Sequence, residues 1–355
     1  MRNHETPSAH AAVPPRETNA PTVLVTGGSG YLASWTIVRL LQEGYRVRAT
    51  VRELHREPHV RAMIARQTDA GERLSFVRAN LLQDDGWADA TDGVRYVIHV
   101  ASPMPVGEYR GTDLLGPALE GTRRVLAAAH RSGVRRVVLT SSADAATPPR
   151  NSGVIADETV WTDVPDGSAF DYQRAKTVAE RDAWEFSAAH PGLELSAVLP
   201  CFIQGPVLGA DYSGSVSVVA MLLRGKLPGV PRIGWNVVDV RDIADLHLKA
   251  MTSPNAAGER FIGGSDFLWA EDIGAILREN LGGRARGVPK RILPSALVRL
   301  AALVDSDMKT LAPRLDVYQQ FSSAKAHQLL GWTARPAAEA VIDAAQSLID
   351  ADLLT

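Results

Sequence analysis

Tyr172 and Lys176 stand four residues apart in the stretch SAFDYQRAKTVAE (168–180), at the front of a segment with helical character. Four residues is about one helical turn, so this spacing puts a phenol and an ammonium on one face. Such a pair is either a surface contact or an acid held ready to release a proton. The chain contains 6 Lys against 32 Arg, and this is its only Tyr-x-x-x-Lys. A surface charge here would be served equally by arginine, the cation this protein ordinarily uses. The pair is therefore worth following, although the spacing alone leaves both readings open.

The elements that must position it alternate. The run TVLVTG (22–27) reads as a buried strand, and LASWTIVRLLQEG (32–44) as an amphipathic helix. YRVRATV (45–51), RLSFVRAN (73–80) and VRYVIHVAS (94–102) are further strands. ALEGTRRVLAAAHRSG (118–133) is a helix, VRRVVLTSS (134–142) a fifth strand, and the helix of Tyr172 runs to about His190. LELSAVLP (193–200) is a sixth strand, and ERFIGG (259–264) a seventh, after a helix over 238–251. Strands alternating with helices predict an α/β fold: a doubly wound parallel Rossmann sheet of about seven strands. Residues 201–236 are Gly- and Pro-rich with one helix at 216–224. The expected organisation is a disordered tail (1–20), a nucleotide-binding domain (21–200 plus 237–264) and a smaller, mostly helical substrate lobe (201–236 plus 265–355).

The bulk composition excludes several classes. A net charge of −2 supplies no basic field for nucleic acid. The single cysteine, Cys201, cannot form an internal disulfide, which fits a reducing cytoplasm. No apolar run is long enough to span a membrane, and the polar, Pro/Ala-rich first twenty residues lack a signal-peptide core. The expected partner is a small molecule, and the expected state a monomer or homodimer.

Three further stretches carry chemistry. VTGGSGYLA (25–33) joins the first strand to the first helix, where Gly27 and Gly30 let the backbone approach a pyrophosphate held at the helix N-terminus. The second strand ends in TVRELHRE, with Arg52 at the turn where an NAD site would carry Asp or Glu. A guanidinium there suits the 2′-phosphate of NADP(H), although Glu53 follows it directly. Ser102, Ser141 and Ser142 lie at the carboxyl ends of strands four and five, the edge where such sheets bind ligands.

In this order, VTGGSGYLA, HVASP, EGTRRVLAAAHRSGVRRVVLTSSA, YQRAKTVAERDAWEF, VDVRDIADLHLKAM and LGWTARP resemble the extended short-chain dehydrogenase/reductases over about 21–350, and within them the dihydroflavonol-reductase-like NADPH ketoreductases and aldehyde reductases. The resemblance implies Tyr172 as general acid, Lys176 as the ribose-binding cation that lowers the phenol's pKa, and Ser142 as the donor to the carbonyl oxygen. It implies NADP(H) as cofactor, bound by Gly27, Gly30, Tyr31, Leu32, Arg52, Asn80, Leu81, Val100, Ala101, Ser102, Ser141, Tyr172, Lys176, Pro200, Ile203 and Ser215. Met104, Phe170, Phe202 and Trp235 are the expected substrate contacts, with Val106 beside them. The activity implied is reversible reduction of a bulky apolar or aromatic ketone or aldehyde. The alternatives are a nucleotide-sugar epimerase/dehydratase or a 3β-hydroxysteroid dehydrogenase-like enzyme. Three positions depart from the family pattern: Asn80 for Asp, Arg124 for Asn, and Thr147 where plant dihydroflavonol reductases carry Asn.

Overall fold

The structure is a computed structural model and describes residues 20–103, 114–150, 152–164, 170–303 and 306–354. Its centre is a seven-stranded sheet formed by β1 (Thr22–Val25), β2 (Arg46–Val51), β3 (Leu74–Arg78), β4 (Tyr96–His99), β5 (Arg136–Thr140), β6 (Glu194–Pro200) and β10 (Arg260–Gly263). The spatial order is β10-β6-β5-β4-β1-β2-β3, and every pairing is parallel. β1, β4 and β5 are buried along almost their whole length, which is why they read as continuous apolar runs and not as alternating ones. The order reverses at β1, whose neighbours are β2 on one side and β4 on the other. A crevice at the carboxyl ends of these strands follows from that topology.

Helices cover both faces. α1 (Tyr31–Gln42), α2 (Glu57–Ala65) and α7 (Val240–Thr252) supply buried residues such as Ile37, Met63 and Leu246 to one apolar cluster. On the other face α3 (Trp87–Thr91), α4 (Leu115–Arg131) and α5 (Asp171–Ala189) pack through Trp87, Leu126 and Ala183. The seven expected strands are all present, each trimmed by a residue or more.

Additional strands lie in and after the region that reads as Gly/Pro-rich. β7 (Phe202–Gln204), β9 (Gly234–Asp239) and β11 (Phe267–Trp269) form a second sheet in the order β11-β9-β7, and β8 (Val230–Pro231) pairs with β12 (Ile292–Leu293). Periodicity cannot register runs of two to six residues interrupted by Gly and Pro. The helix expected from 238 begins at Val240, because Asp239 caps it by accepting the Arg241 N–H at 2.8 Å. A division at 236/237 therefore falls inside β9. The remaining helices are α6 (Gly214–Arg224), α8 (Ala270–Leu281), α9 (Ser295–Ala301), α10 (Ser306–Leu311), α11 (Ala324–Leu330) and α12 (Ala337–Asp350). No helix among the described residues is long and apolar enough to cross a membrane.

Candidate active site

The glycine-rich turn between β1 and α1 is shaped for close approach. Gly27 has φ 70°, a conformation that strains any residue with a Cβ, and its N–H donates to Thr50 Oγ1 at 2.9 Å. A Cβ on Gly28 would lie 2.8 Å from that of Ala49. Gly30 is the N-cap of α1 and, lacking a side chain, leaves the first helical N–H groups uncapped. Those donors and the helix dipole face the crevice, a donor set suited to a pyrophosphate. Leu32 is buried, and the Tyr31 hydroxyl donates to Gly205 O at 2.7 Å. Both side chains are committed to packing, so their contribution to a ligand would be backbone N–H.

Around the crevice, Arg52 is exposed directly after β2, and its carbonyl accepts from Arg78 Nε at 3.3 Å. Glu53 sits 3.9 Å from the Arg78 guanidinium, which offsets its charge. Arg48 is bound to the carbonyls of Asp89, Ala90 and Asp92, and Arg56 pairs with Asp211. Asn80 follows β3, and its Oδ1 accepts the Leu82 N–H at 3.1 Å. Leu81 packs against α4 at Gly121, where a Cβ would come within 2.9 Å of it. Val100, Ala101 and Ser102 follow β4, and the Ala101 N–H donates to Thr26 Oγ1 at 2.9 Å. Pro200 ends β6. The Ser215 hydroxyl donates to Ile203 O at 2.5 Å, fixing α6 to β7.

The chemistry-bearing groups meet at the ends of β5 and α5. The Ser142 hydroxyl acts on the Tyr172 phenol in the sense that favours its ionised form. Its Oγ also accepts the Asp144 N–H at 3.2 Å, which caps a short 3-10 turn after β5. Ser141 points the other way, donating to Glu180 Oε2 at 2.5 Å. The two adjacent serines are thereby separated: one faces the tyrosine and the other supports α5. Lys176, one turn after Tyr172, is buried and donates to Thr140 O at 3.0 Å. With His99, Ser102, Thr122 and Glu180 it lines a small polar pocket.

Burial lowers Lys176 from its ordinary value to about 8, against the opposing pull of Glu180 and Asp144. The phenol behaves differently from the sequence expectation. Burial and the nearby Asp144 push Tyr172 above its ordinary value, and the Ser142 hydrogen bond and Arg314, not Lys176, offset this. The largest cause is desolvation, which disfavours phenolate. His99, at the end of β4, is held neutral at about 3 by burial and by Lys176.

Of the expected substrate contacts, Met104 lies outside the described residues, as does Val106. Phe170 is the N-cap of α5, half-buried and two positions before Tyr172. Phe202 and Trp235 stack with centroids 4.4 Å apart, both half-buried. Arg124, at the family's Asn position, turns to Asp84 and Leu81 O.

Sequence reasoning missed the group beneath Lys176. Glu180 is fully buried, and its carboxylate receives Arg260 Nε at 2.6 Å, Trp184 Nε1 at 3.2 Å and the Ser141 hydroxyl. The Arg260 guanidinium lies 3.7 Å from the Trp161 ring centroid and donates to Glu158 O and Val160 O. The signal for Glu180 was its spacing, one turn after Lys176 on the same face. Arg260 gave none, since it joins from β10, 80 residues away.

Residues 23–263 match the NAD dependent epimerase/dehydratase family. The chain belongs to that family. Among its relatives, cinnamoyl-CoA reductase 1 of Oryza sativa subsp. japonica is 38% identical over 261 residues, covering 72% of this chain and 75% of that protein. Tetraketide alpha-pyrone reductase 1 of Arabidopsis thaliana is 35% identical, covering 72% of this chain and 79% of that protein. In fold the chain is similar to yeast methylglyoxal/isovaleraldehyde reductase Gre2, solved complexed with NADPH. The TM-score is 0.78 with 23% identity, over 94% of this chain and 100% of that one.

Proposed function

We propose that this chain is an NADP(H)-dependent reductase that converts a ketone or aldehyde reversibly to its alcohol, acting on bulky apolar or aromatic carbonyl compounds. The observation that carries the reading is the meeting of Ser142, just after β5, with Tyr172 and buried Lys176 at the front of α5, where Lys176 donates to Thr140 O at 3.0 Å. Reduction of a carbonyl builds negative charge on oxygen, so two hydroxyl donors already facing one another give that oxygen a prepared site. Ser142 donates to it, and Tyr172 donates and transfers its proton. Lys176 holds the ribose and keeps positive charge behind the tyrosine. When bound, the cofactor supplies the hydride. The uncapped N-terminus of α1 receives its pyrophosphate, and Arg52 its 2′-phosphate. In this reading residues 21–200 plus 237–264 hold the nucleotide and the rest of the chain covers the substrate. The names of the relatives, reductases of carbonyl compounds, support it, as does the stacked Phe202–Trp235 pair, a surface suited to an uncharged ring.

The test is consumption of NADPH with an aryl ketone, a β-keto ester, an aromatic aldehyde and a UDP-4-keto-sugar. Turnover is expected with one or more of the first three. Activity on the sugar nucleotide alone would replace this reading with the epimerase/dehydratase one. Cofactor choice is checked separately with Arg52→Asp. The substitution puts a carboxylate against the 2′-phosphate, so preference measured as the ratio of kcat/KM values should move toward NADH by about tenfold or more. An unchanged ratio would place phosphate recognition elsewhere.

A further inference from the structure

Asp144 follows the catalytic serine by two residues and has no part in the scheme above. Its backbone is fixed at both ends of the site. The N–H donates to Ser142 Oγ at 3.2 Å, and the carbonyl accepts Gln173 Nε2 at 3.2 Å and Thr162 Oγ1 at 2.6 Å. Gln173 is the neighbour of Tyr172 on α5, so this one residue ties the serine's turn to the tyrosine's helix. Its carboxylate forms no hydrogen bond or ion pair among the described residues, and the residue is only half-buried. These backbone bonds seat it between Ser142 and the residue next to Tyr172, and from there its negative charge acts on Tyr172 and Lys176.

We propose that Asp144 is a positioning residue that sets the pH range of the reaction, the carboxylate on its anchored backbone holding Tyr172 and Lys176 in their proton-bearing forms. This rests on the reading of Tyr172 as the acid. A negative charge beside a phenol and an ammonium opposes loss of either proton. A site that must give a proton gains from such a neighbour, and one that must take a proton is hindered. The charge therefore extends reduction on the alkaline side and delays oxidation until higher pH.

Among the described residues, other charges also act on the pair. Arg314, from the segment after α10, acts on Tyr172 in the opposite sense. That segment is held at the site by the Arg150 guanidinium, which donates to Leu315 O at 2.9 Å. Glu180 acts on Lys176 from α5 itself but is bound to Arg260, and His99 faces Lys176 from β4 as a neutral ring. The Cys201 thiol, at the end of β6, is raised by burial and stays neutral. Among the described residues, Asp144 and Arg314 are charges of opposite sign acting on the tyrosine, and each can be removed separately.

The experiment is the pH profile of kcat/KM for reduction of an aryl ketone with saturating NADPH, in Asp144→Asn, Arg314→Gln and Tyr172→Phe. Asp144→Asn keeps the backbone hydrogen bonds and removes the charge. Its alkaline limb should move to lower pH by about half a unit or more, the scale of a nearby partly screened charge. Arg314→Gln, on a separate element, should move the limb the other way, and it tests the same field if the first variant does not fold. A purely structural role for Asp144 would scale the rate and leave the limb in place. If Tyr172→Phe is inactive and both other variants keep the parental limb, the inference is wrong and the reading of the site stands. If Tyr172→Phe retains activity, the reading itself fails and takes the inference with it.

Discussion

Replacement of Tyr172 by Phe is expected to lower kcat for carbonyl reduction by two to three orders of magnitude or more, while NADPH affinity stays within a few-fold. Removal of one donor aimed at the developing oxyanion costs roughly 2.7–4 kcal/mol in enzymes built this way. In the proposed scheme the same hydroxyl also supplies the proton, so that range is a lower bound. Phe is an informative replacement because the tyrosine ring packs against an apolar cluster of Leu114, Ala118, Ala175 and Ala179, contacts that Phe keeps. Ser142 keeps the Asp144 N–H when the phenol is lost. A fall in activity therefore reports chemistry and not collapse of the site. Fluorescence titration with NADPH and an unchanged melting temperature would establish that the variant is folded and loaded. Activity near that of the parent would end the assignment of Tyr172 as the acid.

The contrast between what the sequence disclosed and what it withheld follows the range of the interactions. Tyr172 and Lys176 were legible because helical periodicity is local: spacing alone puts them on one face. The seven-stranded sheet was legible because β1, β4, β5 and β6 are contiguous apolar runs separated by helical stretches. Gly27 could be identified because its turn needs a conformation that residues with a Cβ avoid. The second sheet was not legible, since β7, β9 and β11 have three to six residues each and are defined only by one another. The choice between Ser141 and Ser142, which sequence could only rank by resemblance, becomes geometric in the fold. Glu180 takes the Ser141 hydroxyl, while among the described residues Ser142 Oγ is engaged by the Asp144 N–H. Asp144 was overlooked for a different reason. Its effect depends on a charge reaching across from β5 to α5, and nothing in the local string SSADAAT encodes that distance.

The largest expected effect on stability comes from Glu180→Ala. Glu180 is fully buried and Arg260 nearly so, and their 2.6 Å ion pair lies within the fold that supports Lys176. Taking both charges from water carries a large desolvation cost, repaid here by dense hydrogen bonding. Arg260 reaches the carbonyls of Glu158 and Val160 and stacks on Trp161, and Glu180 accepts from Ser141 and Trp184. Deleting the carboxylate leaves a guanidinium buried without its counter-charge, which costs about 3–5 kcal/mol. That is a substantial share of the roughly 5–15 kcal/mol by which folded proteins exceed their unfolded chains. The double replacement Glu180→Leu with Arg260→Met removes both charges and restores apolar volume, so it should be less destabilised than Glu180→Ala alone. Urea midpoints at constant slope measure both variants. A double replacement that costs as much as the two single ones summed would show that the pair does not act as a unit, and that the loss belongs to packing around α5. If instead the double variant recovers stability and its activity remains low, the ion pair is serving the site and not the fold. Glu180 lies one turn below Lys176 and raises that ammonium's hold on its proton. Its loss should leave Lys176 less charged at neutral pH, and with it the ribose less firmly held.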